Sequence, residues 1–184
     1  MDLISISKRL SYWLRHHPEQ INLTLDKEGW TSLDVLIKNA AEKDIYLSQE
    51  LIEEVVKTSD KQRFSLKDGK IRANQGHSTS EVEIQFTKRE PPDILWHGTA
   101  TKNLDKIKRD GLLKMKRHHV HLSDNYDAAL KVGKRHGKPL VFAVDAKRMV
   151  KDGIDFFIST NGVWLVESIH FKYLQVDHSK DGLF

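Results

Sequence analysis

Leu3, Ile6, Leu10, Trp13 and Leu14 recur at spacings of three and four, which predicts an amphipathic helix over residues 3–16 that Pro18 ends. Leu33, Leu36, Ile37 and Ala40 mark a second helix over 32–43. Ser48 is placed to cap a third, whose buried stripe is Leu51, Ile52, Val55 and Val56. Asp68-Gly69 then separates two short alternating runs, Arg63–Leu66 and Lys70–Ala73, the signature of a β-hairpin. Three helices followed by a hairpin is the order of a winged-helix module.

The pattern breaks at Lys88–Asp93, where two prolines and a charge cluster read as a linker. Beyond it short strands alternate with helices. Strands are expected at 94–97, ending in Gly98-Thr99, and at 119–122, 140–144, 155–158, 162–167 and 169–176, with helices over 101–109 and 124–135. The expected division is therefore 1–90 and 91–184.

Charge and composition narrow the chemistry. The 184 residues carry a formal net charge of +4. Residues 1–90 hold 14 Lys and Arg against 15 Asp and Glu, and the remainder 16 against 11. If the first half meets RNA, a local cluster of cations must do it, because the overall charge there does not attract phosphate. Cysteine is absent, which removes disulfides, thiol nucleophiles and Cys-ligated zinc. No run of 18 apolar residues is present, and Met1–Ser5 lacks the layout of a signal peptide. A soluble, cytoplasmic, monomeric protein with no membrane partner is the expectation.

Two clusters could carry a reaction. Arg15 and His16 close the first helix. An arginine there can grip a phosphate and a histidine can move a proton, although the same residues would also serve as a basic helix terminus before a proline stop. Arg63 and Arg72 lie on the hairpin and His77 follows it; each is also readable as surface or loop. The second cluster is His97-Gly98-Thr99 with Arg117-His118-His119-Val120-His121-Leu122-Ser123. His119 and His121, spaced for one strand face, could join His97 on zinc. Alternatively one histidine hydrogen-bonds a nucleotide cofactor that Arg117 clamps, or the run is a His-rich surface strand. With no carboxylate placed beside the pair, the cofactor reading is preferred and no metal is expected.

Taken in order, Leu14–Glu19, Gly29-Trp30, Asp60–Phe64, Ile71–Ser78, Trp96–Thr99, Gly111-Leu112, Arg117–Ser123 and Asn161–Trp164 resemble the KptA-type RNA (tRNA) 2′-phosphotransferases, known from tRNA splicing. The resemblance implies an α+β fold, with an N-terminal winged-helix RNA lobe packed on a C-terminal ADP-ribosyltransferase-like NAD⁺ lobe of mixed or antiparallel β structure. It implies that an RNA 2′-phosphate is transferred to NAD⁺, the co-substrate, through a 2′-phospho-ADP-ribosylated RNA. The products are 2′-OH RNA, ADP-ribose 1″,2″-cyclic phosphate and nicotinamide. The catalytic set it implies is Arg15, His16, Arg63 and Arg117. Arg72 and His77 join these four as expected RNA and phosphate contacts. The expected NAD⁺ site comprises His97, Gly98, Thr99, Thr101, Gly111, His121, Leu122 and Ser123. Trp96 replaces the tyrosine common before His97. Val163 stands where ADP-ribosyltransferases that modify proteins carry a glutamate. Two rivals share these residues: a transferase that leaves ADP-ribose on nucleic-acid phosphates, and a winged-helix nucleic-acid binder without turnover.

Overall fold

The computed structural model describes residues 2–59 and 61–177. Asp60, of the Asp60–Phe64 motif, lies outside them. The chain forms two compact units, Met1–Gln85 and Phe86–Phe184.

In the first unit, helix α1 (Leu3–Arg15) is capped by Asp2, whose carboxylate accepts the Ser5 amide at 2.8 Å. Its stripe Ile6, Leu10, Trp13 and Leu14 is buried as the spacing predicts. A 3-10 turn, Pro18–Ile21, follows and ends at Asn22 in the left-handed region. Strand β1 (Thr31–Ser32) leads into helix α2 (Leu33–Ala41), and Ser48 caps helix α3 (Gln49–Thr58) by accepting the Leu51 amide. Strands β2 (Phe64–Lys67) and β3 (Lys70–Ala73) form the expected hairpin. Asp68 and Gly69 both take positive φ, 49° and 69°, as the tight turn between right-twisted strands requires. All strand pairs are antiparallel, in the order β1-β3-β2. The three helices and this sheet enclose one apolar core that includes Ile6, Leu10, Leu36, Ile52, Phe64 and Ile71.

The second unit begins before the proline linker. Strand β4 (Thr87–Lys88) pairs with β9 (Phe157–Ile158), and the Arg89 amide donates to the Phe156 carbonyl. The boundary between the two compact units falls after Gln85. Strand β5 (Ile94–Ala100) leads through a 3-10 turn, Thr101–Asn103, into helix α4 (Leu104–Asp110). Strands β6 (Leu112–Leu113) and β7 (Val120–Leu122) precede helix α5 (Tyr126–Lys134). Strand β8 (Pro139–Asp145) is followed by helix α6 (Ala146–Lys151), which the strand pattern does not announce; Asp145 caps it through the Arg148 amide. Strands β10 (Trp164–Val166), β11 (Ser168–Ile169) and β12 (Leu174–Val176) close the unit. The expected strand over 169–176 is thus split by a 3-10 turn, Phe171–Tyr173.

The sheets, again antiparallel, run β4-β9-β10-β7, β12-β8-β5 and β11-β6. A second core, including Leu95, Val120, Leu122, Phe142, Val144 and Trp164, lies in this unit. Strand β5 does not stop at Gly98; it continues in register with β8 to Ala100. The glycine has a different purpose. A Cβ at position 98 would lie 1.7 Å from the Ala129 carbonyl oxygen of α5, and one at Gly133 would lie 2.6 Å from the Thr99 carbonyl. Helix and strand meet backbone to backbone there, which only glycine permits. Among the described residues no helix is long and apolar enough to cross a membrane.

Candidate functional site

In the first unit the candidate residues gather around the end of α1. The loop after β3 returns to it: the Ser78 amide donates to the Arg15 carbonyl at 2.9 Å, and the Ser78 hydroxyl lies 2.9 Å from His16 Nδ1. The Arg15 guanidinium sits over the Phe64 ring, 6.0 Å from its centroid. Phe64 is the first residue of β2, so Arg63 enters from the neighbouring position. Arg63 donates to the Ser59 hydroxyl at 3.2 Å, and its carbonyl accepts the Asn74 amide. Asn74 is buried and bridges the Gln62 carbonyl and the Ser65 hydroxyl, fixing a stretch in which Gln62 has a φ of 39°. The structure therefore brings Arg15 and His16 to Phe64 and Ser78, with Arg63 next to Phe64 in the chain.

Arg72 and His77 are placed otherwise. The Arg72 guanidinium lies 4.7 Å from the Trp30 ring centroid and reaches the Glu28 carbonyl at 3.4 Å. His77 is only 3% exposed and packs against Gly29, where a Cβ would come within 3.0 Å of Nε2.

In the second unit three candidate side chains are linked directly. His97 Nδ1 donates to the His121 carbonyl at 3.0 Å; because a carbonyl only accepts, Nδ1 carries the proton. Burial pushes the His97 pKa down. The His121 carbonyl opposes that shift, while Arg117 and His136 reinforce it. His97 is thus neutral near pH 7, and Nε2 is left as an acceptor. Arg117 Nη1 donates to His121 Nδ1 at 3.1 Å, which makes that nitrogen an acceptor. Two linked imidazoles beside a guanidinium suit ribose hydroxyls and a phosphate.

The remaining candidates shape the backbone around this trio. Ser123 exchanges two backbone hydrogen bonds with Trp96, at 2.7 and 2.9 Å, and its hydroxyl accepts the Asn125 amide. The Thr99 hydroxyl accepts from Asn103, and the Thr101 amide donates to the Lys138 carbonyl. Gly111 has a φ of 75°, and a Cβ there would lie 2.3 Å from the Ile169 carbonyl. The Leu122 side chain points into the core, so only its backbone could face a ligand.

His119 lies just ahead of β7, which starts at Val120. Its ring stands edge-on to Phe86, at 5.6 Å between centroids, and tilts against Phe157. Among the described residues no group of three His, Cys, Asp or Glu side chains could hold a metal ion. Ser78, Asn74 and Asn103 have positioning roles that the sequence reading did not assign. Each acts through a partner at least four residues away, so no local motif announces it.

Residues 2–168 match the model of a family described as RNA 2′-phosphotransferase, Tpt1 / KptA. A protein of Pseudomonas syringae pv. tomato, named "Probable RNA 2′-phosphotransferase", is 48% identical over 171 residues, covering 92% of this chain and 91% of the relative. Proteins of the same name from Escherichia coli O9:H4 and Shigella boydii serotype 18 are 48% and 49% identical over 176 residues, covering 95% of this chain and 96% of theirs.

Proposed function

The chain belongs to the Tpt1 / KptA family of RNA 2′-phosphotransferases, and from that premise we propose that it removes a 2′-phosphate from RNA by transferring it to NAD⁺. The observation that carries the NAD⁺ half is the bonded series Arg117–His121–His97, which sets two imidazoles beside a cation. The side-chain set fits an ADP-ribose moiety: a ribose hydroxyl for His97 Nε2, and phosphate for Arg117. The first unit, with helices followed by a hairpin, supports a winged-helix reading, and the second an ADP-ribosyltransferase-like one.

In the first step an oxygen of the RNA 2′-phosphate attacks C1″ of the nicotinamide ribose. The C1″–N bond breaks and its electron pair leaves on nicotinamide. Positioning dominates this step, and Arg15 and Arg63 offset the phosphate charge. In the second, the ribose 2″-oxygen attacks phosphorus and loses its proton. The bond to the RNA 2′-oxygen breaks, and that oxygen takes up a proton. His16, held by Ser78, delivers it; such general acids contribute roughly 10²–10⁴-fold.

Incubation with NAD⁺ and a short RNA bearing an internal 2′-phosphate tests the reading by mass. The expected products are 2′-OH RNA, ADP-ribose 1″,2″-cyclic phosphate and nicotinamide. A stable RNA–ADP-ribose adduct would instead make the chain a capping transferase. Unchanged RNA would make it a binder.

A further inference from the structure

The first unit carries a groove that the proposed reaction does not use. About 620 Å³ in volume, it runs beside α1, and its lining includes Lys8, Arg9, Tyr12, Trp13, Gln20 and Lys43. Three cations line it and no carboxylate does, although the unit as a whole has 12 Lys and Arg against 14 Asp and Glu. Lys8 and Lys43 are exposed, and among the described residues neither pairs with a carboxylate. Glu42 and Asp44 flank Lys43 in sequence, and Glu19 beside Gln20 is engaged by His17.

Helical geometry connects the groove to the site. At about 100° per residue, Lys8, Arg9 and Tyr12 on α1 and its C-cap His16 fall within an arc of about 100°, and Lys8 lies about 12 Å along the axis from His16. The face that lines the groove therefore ends at the residue proposed to protonate the RNA. Tyr12 is 43% exposed, and its ring lies against that of His17, with 4.6 Å between centroids and 31° between planes. This pair forms an aromatic shelf between the cations and His16. Cations along a groove with an aromatic on which a base can stack is the chemistry of single-stranded nucleic-acid binding.

We infer that this groove holds the single-stranded RNA flanking the 2′-phosphorylated nucleotide, its phosphates on Lys8, Arg9 and Lys43 and one base on Tyr12. The inference rests on the proposed RNA substrate but not on NAD⁺ chemistry. It is the local cationic cluster that an otherwise acidic first half would need.

The test measures binding of the whole chain, without NAD⁺, to a single-stranded RNA carrying an internal 2′-phosphate, across a range of salt concentrations. Lys8→Glu/Lys43→Glu should weaken binding on the order of tenfold at low salt and reduce the slope of log K against log salt by about 1.4, since each single-strand phosphate contact contributes about 0.7. A 2′-phosphorylated dinucleotide, too short to reach the groove, should lose far less affinity. Tyr12→Ala should weaken binding without changing the slope. Lys8→Gln/Lys43→Gln gives a milder second reading if charge reversal perturbs folding, which circular dichroism monitors. Unchanged affinity and slope overturn the inference. So does equal loss on the dinucleotide, or loss of binding to anionic vesicles with RNA binding intact. Failure of NAD⁺-dependent turnover with these binding results in place would overturn the proposed reaction and leave the groove standing.

Discussion

His16 is held through one ring nitrogen by Ser78, so its two possible roles can be separated. His16→Ala should let ADP-ribosylated RNA accumulate, because nicotinamide leaves without protonation while the RNA oxygen leaves as a poor alkoxide. Rapid-quench analysis of a single turnover reads this directly; slower turnover with no accumulating intermediate would limit His16 to orienting substrate. Ser78→Ala keeps the imidazole and should slow the same step less. His97 predicts a pH effect. Burial favours its neutral form, so in the folded chain it binds a proton only below the ordinary value of 6.5. As pH falls below about 6.5 the unfolded chain takes up the proton first, and stability is lost until the folded pKa is reached. Above that window the contribution is constant. His97→Asn can still donate to the His121 carbonyl but does not titrate. Its melting temperature should therefore fall less than that of the parent between pH 7.5 and pH 5.5.

Among elements, the contact between β5 and α5 gives the sharpest expectation. Gly98→Ala would drive a methyl into the Ala129 carbonyl, and backbone cannot yield as a side chain can. The expected cost is at the upper end for point substitutions, above about 4 kcal/mol, seen as a large drop in melting temperature or loss of soluble protein. Gly153→Ala, also at positive φ but with nothing within 4 Å, should cost only about 1 kcal/mol. The same contact explains one departure from the sequence reading. Glycine in a strand pattern suggests an end, but here a helix presses on the strand from outside, and that pressure is invisible along the chain. Helices α1 and α3 and the hairpin were legible because caps, stripes and turn residues are local. The start of β7 at Val120, which leaves His119 outside the strand, was not, because where a strand begins depends on its partner.

At the scale of the molecule each unit encloses its own apolar core, and the candidate residues divide between them. The division of labour predicts where each ligand protects the backbone. In hydrogen exchange, NAD⁺ should slow exchange in 96–123, and a 2′-phosphorylated RNA in 8–16 and 63–78. Protection of both regions by either ligand alone would contradict it. The motifs made the residue types of both clusters legible. What they could not convey was the closure by Ser78, which depends on a loop returning to a helix end 62 residues earlier. The contact at Gly98 also bears on descent. That glycine is demanded by packing whether or not a nucleotide binds, whereas His97 beside it, apart from its bond to the His121 carbonyl, would be needed only for the proposed ligand. In a lineage that abandoned the reaction, position 98 should stay fixed while position 97 drifts. Gly98 would then mark ancestry, and His97 a function still in use.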